Sequence, residues 1–388
     1  LSTLPRIYFD NAATSWPKPP AVYAAVEHAM QKLGAGAGRS PYAEATEATR
    51  SVEATRRACA RLLGISEPPR LILTSGGTSA LNLAIHGILR PGDHVVTTVV
   101  EHNSVLRPLT AWRDRGEITL THVPCDGAGR VDPDDVRRAI EPKTRLIVLS
   151  HASNVTGAIQ PVAQVAALAR EHGIRTLVDA AQTAGHLPID VAQLAVDLLA
   201  TSGHKGLLGP LGTGLLYICP GLENFIDAIE QGGTGTRSDE DRQPTTVPDK
   251  YESGNPNVPA ILGLGAAVEY LAGRGVAAWH QQAEAHLERL RGGLAEMPGV
   301  RLFGPPAAAD SVALVSLTIE GYDPQEVAAV LDSTFRIQVR PGLHCAPLMH
   351  RALGTIDRGG TVRISLGHFT TTEEIDAVLA ALGELASS

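Results

Sequence analysis

What most constrains this chain is an alternation between residues 70 and 218. Seven short apolar runs recur at 70–74, 94–100, 118–123, 145–150, 175–179, 197–201 and 214–218. Several lack a strict apolar–polar alternation, as strands covered on both faces do. Amphipathic helical patterns lie between or before them, including 45–63, 80–89 and one that Pro161 opens and Gly173 closes. Strand–helix alternation predicts an α/β fold, with a mostly parallel seven-stranded sheet covered by helices.

Sheets of this kind bind ligands just beyond the C-terminal ends of their strands. Polar residues should gather there, and they do. Ser75-Gly76-Gly77-Thr78 follows the first run, Glu101-His102-Asn103 the second and His151-Ala152-Ser153-Asn154 the fourth. Asp179 closes the fifth, and Ser202-Gly203-His204-Lys205 follows the sixth.

The stretch 231–259 is rich in Gly, Thr, Asp and Pro. It reads as a long irregular connection, and such loops are often functional. Past it, 261–273 and 276–297 read as helices, 312–319 and 361–365 as strands, and 372–385 as a closing helix. Thr371 and Glu374 offer that last helix a capping box, and Ile375, Val378, Leu379 and Leu382 give it an apolar face. These elements form a second, smaller α/β layer.

Composition narrows the partners. The 388 residues carry 33 Lys and Arg against 41 Asp and Glu, a net charge of −8. With no basic block, neither nucleic acid nor a membrane surface is expected as a partner. The longest uncharged stretch, 206–222, is broken by glycines and prolines and cannot span a bilayer as a helix. No basic patch followed by an apolar run opens the sequence, so no signal peptide is expected. The four cysteines are far apart and form no CxxC. A reducing cytoplasm is therefore expected rather than a disulfide framework.

Each strand-end group has an ordinary reading beside a chemical one. A lone Lys in a Gly-rich turn is usually solvated, and a strand-end Asp often only caps a helix. Lys205, however, stands between His204 and Gly206, after an apolar strand and before Leu207-Leu208-Gly209-Pro210. That setting favours a desolvated amine, which is nucleophilic and forms Schiff bases. Asp179 suits a pyridinium nitrogen. A Lys Schiff base with an Asp–pyridinium partner is the mark of pyridoxal 5'-phosphate chemistry. Gly76 and Gly77 let backbone N–H groups approach a phosphate at a helix N-terminus. The chain has no Walker P-loop and no GxGxxG, which speaks against ATP and dinucleotides.

His102 could stack on a flat ring, and Asn154 and Gln182 join it at successive strand ends. Cys59 and Cys219 read as inert buried thiols. Cys345 differs, because Arg340 and His344 lie close in sequence and positive neighbours favour the thiolate. His344, Cys345 and His350 match no common zinc spacing, so no metal site is expected. Arg363, between Val362 and Ile364, would offer a planar fork to a substrate carboxylate if it faces the site.

Taken together these residues are recognisable. The chain resembles the class V aminotransferase superfamily of fold-type I pyridoxal-phosphate enzymes, and within it the cysteine desulfurase/selenocysteine lyase family, NifS/SufS-like. The marks are Tyr8-Phe9-Asp10-Asn11-Ala12-Ala13-Thr14, the Gly-Gly-Thr turn, Glu101-His102-Asn103, Ser153-Asn154-Val155-Thr156-Gly157, Val178-Asp179-Ala180-Ala181-Gln182 and Ser202-Gly203-His204-Lys205. Further on come Tyr251-Glu252-Ser253-Gly254-Asn255-Pro256-Asn257 and Arg340-Pro341-Gly342-Leu343-His344-Cys345-Ala346.

The resemblance implies a PLP-dependent cysteine desulfurase that converts L-cysteine to L-alanine and captures the sulfur as a persulfide on Cys345. By it, Lys205 carries the cofactor's Schiff base and moves protons at the substrate α-carbon. Asp179 holds the pyridine nitrogen, His102 stacks on the ring and Gln182 reaches the ring oxygen. Gly77, Thr78, Ser202 and His204 take the phosphate. Asn154, Arg340 and Arg363 bind substrate. Gly233-Thr234-Gly235-Thr236 looks like the segment that completes the partner subunit's phosphate site, with Thr236 a candidate among residues 232–238 for the contact, so a homodimer is implied. A sulfur-acceptor protein or thiol reductant would take the persulfide sulfur.

The implied division is an arm (1–20) joining the small domain, a large cofactor-binding domain (21–259) and a small domain with the cysteine loop (260–388). The short run from Cys345 to Arg363 resembles group II members, whose cysteine loop is compact. One position departs: group II enzymes usually place His two residues before the catalytic Cys, where this chain has Leu343. Selenocysteine lyase, or another class V aminotransferase-type reaction, is the alternative reading. Ser202 to Lys205 also fits the SxxK of serine hydrolases, but the SDN and KTG motifs such enzymes need are missing.

Overall fold

The sheet expected from the alternating runs is present in the structure, a computed structural model that describes residues 5–38 and 40–387. Its strands follow a two-residue arm strand β1 (Ile7–Tyr8). They are β2 (Leu71–Thr74), β3 (His94–Thr98), β4 (Thr119–Val123), β5 (Thr144–Ser150), β6 (Arg175–Asp179), β7 (Leu198–Ser202) and β8 (Gly214–Ile218). The order across the sheet is β2-β8-β7-β6-β5-β3-β4. β8 runs antiparallel to both neighbours, and the pairs from β7 to β4 are parallel. Strand ends lie within two residues of the sequence reading.

Successive side chains of a strand point to opposite faces, and the sheet buries both. In β5, Ile147 and Leu149 join one apolar layer while Leu146 and Val148 join the other. Small and branched aliphatics fill both layers, as the scarcity of aromatic residues requires.

A second sheet holds β9 (Val300–Phe303), β10 (Leu314–Ile319), β12 (Arg340–Gly342) and β13 (Thr361–Ser365), all antiparallel in the order β12-β13-β10-β9. β11 (Ile337–Gln338) pairs instead with β1 of the arm. The small core gathers Val315, Leu317, Val362 and Ile364 with Leu287, Val327, Ile375 and Leu382. Phe9 of the arm is fully buried in it.

Thr371 and Glu374 form the expected capping box on the helix Thr372–Ala386. A second box, Asp323 with Glu326, opens a helix the sequence reading left out, Pro324–Phe335. Arg340-Pro341-Gly342 reads as part of a turn from composition but forms the edge strand β12. Pro is tolerated there because an edge strand leaves one row of N–H groups unused. The helix Val258–Arg274 buries Leu264, Ala267, Val268 and Leu271 in the large core, packed on the helices Pro20–His28 and Ala43–Leu62. The next helix, Val276–Ala295, bends away from it by 77°. Among the described residues no single helix is long and apolar enough to cross a membrane.

Candidate active site

A cleft of about 190 Å³ opens where the C-terminal ends of β3, β5, β6 and β7 meet the small sheet. It is bordered by Gly77, Thr78, His102, Asn154, Asp179, Gln182, Ser202, His204 and Lys205 from the large unit, and by Arg340 and Arg363 from the small one. Every expected large-unit residue except Thr236 therefore meets at one place.

Asp179 ends β6 and is buried. Its Oδ1 accepts the Ala181 N–H at 2.9 Å. Burial raises its pKa, and the nearby Lys205 charge opposes that shift. The same enclosure lowers the Lys205 amine from its ordinary 10.5 to about 8, with Asp179 pulling the other way. The pair thus combines a carboxyl that burial makes reluctant to ionise with an amine that sheds its proton near pH 8.

His102 caps the helix Asn103–Asp114, its Nδ1 accepting the Ser104 N–H at 3.0 Å. That bond leaves Nδ1 without a proton. Burial, then the Lys205 charge, pushes the ring to about 4, so His102 is neutral. The ordinary capping role and the place at the cleft belong to one residue. Thr78 stands on the first turn of the helix Gly77–Ile88, its hydroxyl 2.8 Å from that of Ser104. Gly77 is required by close approach: a Cβ there would lie 2.4 Å from Ser202 Oγ. His204 is neutral as well, lowered to about 4 by burial and by Lys205, and its Nδ1 is buried with no partner among the described residues.

On the opposite side Arg363 is fully buried. Its Nη2 donates to Asp10 Oδ1 at 2.9 Å and its Nη1 to the Asn154 carbonyl at 3.0 Å, while Nε has no partner among the described residues. Burial lowers this guanidinium to about 10, against the pull of Asp10. The Asn154 amide donates to the His344 carbonyl at 2.6 Å. Cys345 follows in a turn where both His344 and Cys345 have left-handed backbone, φ 49° and 60°. Arg340 Nη2 lies 3.6 Å from Cys345 Sγ, and the Asn103 N–H donates to the Cys345 carbonyl at 2.8 Å. By contrast Cys59 is fully buried, its thiol pushed up to about 12.

Thr236 is not at this cleft. It is exposed in the long connection and donates to Asp249 Oδ2 at 2.9 Å. His344 and His350, considered above as metal ligands, turn to Thr361 and Thr355. Among the described residues no group of three His, Cys, Asp or Glu is placed to hold a metal. Leu343 is exposed beside the cysteine.

Sequence reasoning missed four contributors. Ala12 and Ala13 of the arm line the cleft, as does Ser150. Glu101 lies fully buried behind Ser150, accepting its N–H and hydroxyl at 3.0 and 2.9 Å. Burial raises Glu101 to about 7. Its place between a strand and His102 was the available signal.

Residues 7–378 match the family described as Aminotransferase class-V. The chain belongs to that family. Across it, the chain is 33% identical to a probable cysteine desulfurase of Methanothermobacter thermautotrophicus, covering 98% of this chain and 95% of the relative. It is 36% identical to a probable cysteine desulfurase of Halalkalibacterium halodurans, covering 97% and 92%. Among solved structures, an apo cysteine desulfurase from Thermococcus onnurineus superposes with a TM-score of 0.92 at 32% identity, over 98% of this chain and 95% of that one. An Escherichia coli cysteine desulfurase in an S-sulfonic acid form gives 0.88 at 30%, over 98% and 94%. Membership of this family implies pyridoxal phosphate as cofactor.

Proposed function

We propose that this protein is a pyridoxal-phosphate-dependent cysteine desulfurase that releases L-alanine from L-cysteine and takes the sulfur onto Cys345. The observation that carries the reading is the meeting of the Lys205–Asp179 pair with a cysteine turn anchored across the same cleft.

The residues present fit the cofactor. The N-terminal turn at Gly77 and Thr78, the Ser202 hydroxyl and the His204 imidazole, whose Nδ1 finds no partner among the described residues, suit a phosphate. Asp179 suits a pyridinium nitrogen, His102 a ring face, Gln182 a ring oxygen and the Lys205 amine the aldehyde carbon. When bound, pyridoxal phosphate supplies an electron sink for charge that develops at the substrate α-carbon.

The chain's own residues do the rest. Asn154 and the unpartnered Nε of Arg363 receive the substrate carboxylate. Lys205, about half neutral near pH 8, takes the α-proton and returns a proton. The Cys345 sulfur attacks the substrate sulfur, so an S–S bond forms as the C–S bond breaks. The electron pair of the broken bond stays with carbon, which gains a proton to give alanine. Cysteine and the Cys345 thiol become alanine and a Cys345 persulfide, with no outside oxidant. A thiol reductant or acceptor protein then takes the terminal sulfur. The Gly233 to Thr236 stretch, exposed at both ends, suits a second copy of the chain, and we assign it to a homodimer contact.

The test is Cys345→Ala. The variant is expected to keep the visible cofactor band while losing sulfide release from L-cysteine with a thiol reductant. Turnover equal to the wild type rejects the persulfide role.

A further inference from the structure

Arg363 poses a problem that the desulfurase reading leaves unsolved. Its side chain is buried, and a buried guanidinium must find a counter-charge or lose its ability to hold one orientation. Its one carboxylate partner among the described residues is Asp10, 353 residues away in the arm. We propose that Asp10 is the positioning residue of the substrate-carboxylate site, holding Arg363 so that its Nε–H is left for the substrate. This deepens the desulfurase reading and rests on it for the identity of the ligand.

Both tips of the guanidinium are tied, Nη2 to Asp10 and Nη1 to the Asn154 carbonyl. A planar fork fixed at two points cannot swing about its last torsions. Among its remaining N–H groups, that of Nε is buried, in a residue that borders the cleft, and has no acceptor among the described residues. An unmet buried donor is costly unless something arrives to satisfy it. A carboxylate entering the cleft supplies that acceptor.

Asp10 is itself held in place. Its carbonyl accepts the N–H groups of Ala13 and Thr14 at 3.1 and 3.3 Å. On either side the arm is sewn to the strand that carries Arg363: the Ser365 N–H donates to the Phe9 carbonyl at 2.7 Å, and the Ala12 N–H to Ser365 Oγ at 3.0 Å. Carboxylate and guanidinium are thus pre-set relative to each other. Farther along, the Ser15 N–H and Lys18 Nζ both donate to the His204 carbonyl at 3.0 Å, next to Lys205. The arm therefore spans from the carboxylate side of the cleft to the lysine side.

A purely structural ion pair makes a different forecast from a positioning one. The experiment uses the full-length, cofactor-loaded protein with Asp10→Asn, which keeps the shape and removes the charge, and Asp10→Glu, which keeps the charge and displaces it. L-alanine binding is read from the visible spectrum, beside KM and kcat for L-cysteine. Asp10→Asn is expected to raise the alanine Kd and the cysteine KM by about tenfold or more. The ligand-free spectrum should be unchanged and kcat should stay within about threefold. Asp10→Glu should show a smaller increase, about threefold or more, restoring part of the affinity.

An Asp10→Asn protein with the wild-type alanine Kd overturns the proposal, whatever its melting temperature. If that variant does not fold, a folded Asp10→Glu with unchanged Kd overturns it equally. A wild-type enzyme that makes no alanine from cysteine sinks the desulfurase reading, and the alanine titration still decides the role of Asp10.

Discussion

The floor and the far wall of the cleft are built in opposite ways. The floor groups, Asp179, Ser202 and the neighbouring His204 and Lys205, stand at the ends of strands buried on both faces. The wall groups, Arg340, His344 and Cys345, stand on a three-residue edge strand and a turn. That turn puts two consecutive non-glycine residues in left-handed backbone, each costing on the order of 1–3 kcal/mol. Two bonds from the large unit, Asn103 to the Cys345 carbonyl and Asn154 to the His344 carbonyl, oppose the strain. A rigid floor suits a group that stays bound through many turnovers. A strained, externally gripped turn suits a sulfur that must be delivered and removed.

The sharpest way to break this contrast is Lys205→Met. Activity should fall by roughly 10²–10⁴-fold, since the variant loses the proton-transfer group. The same variant tests the burial of the amine in the cofactor-free protein. Between pH 8 and 10.5 the unfolded chain keeps a proton that folded Lys205 has released. Lys205 therefore adds a contribution to stability that rises with pH over that window, and the gain from pH 8 to pH 10 should be smaller in Lys205→Met than in the wild type. Urea titrations at pH 8 and pH 10 read the difference; equal slopes contradict the burial of the amine.

Gly77→Ala strikes the floor without touching the wall. Its Cβ would meet Ser202 Oγ at 2.4 Å, an overpacking of about 1–3 kcal/mol. Cofactor should dissociate faster on dialysis, while enzyme saturated with cofactor keeps most of its kcat. The smallest effect is expected from Arg340→Ala, which loosens the wall alone. Sulfide release should slow by about fivefold with cofactor affinity unchanged. Loss of cofactor in this variant means that floor and wall are not separable.

The same contrast explains what was legible in the sequence. Floor residues sit immediately after apolar runs, so strand ends and polar clusters point to them locally. Lys205 and Asp179 needed only that rule and the chemistry of their side chains. The wall depends on contacts that no local pattern encodes. β1 and β11 are two residues each and pair across some 330 positions. Arg340-Pro341-Gly342 has turn composition and is extended only because β13 lies beside it. Ser150 and Asp10 have no signal beyond their neighbours, since one is the last residue of a strand and the other meets its partner 353 residues later. Gly77 reads as loop because helix propensity disfavours it, yet the first turn of a helix demands little from propensity.

The arm's union with β11 and β13 has a consequence for the chain as it leaves the ribosome. By Ile218 every strand of the large sheet has been synthesised, and the floor can form. The first strand and Asp10 must wait until Ile337, Gln338 and Arg363 have emerged. Contacts of such sequence separation form late and slowly. The strands that carry the floor are thus made well before the partners of the arm, and the carboxylate side of the cleft is completed last.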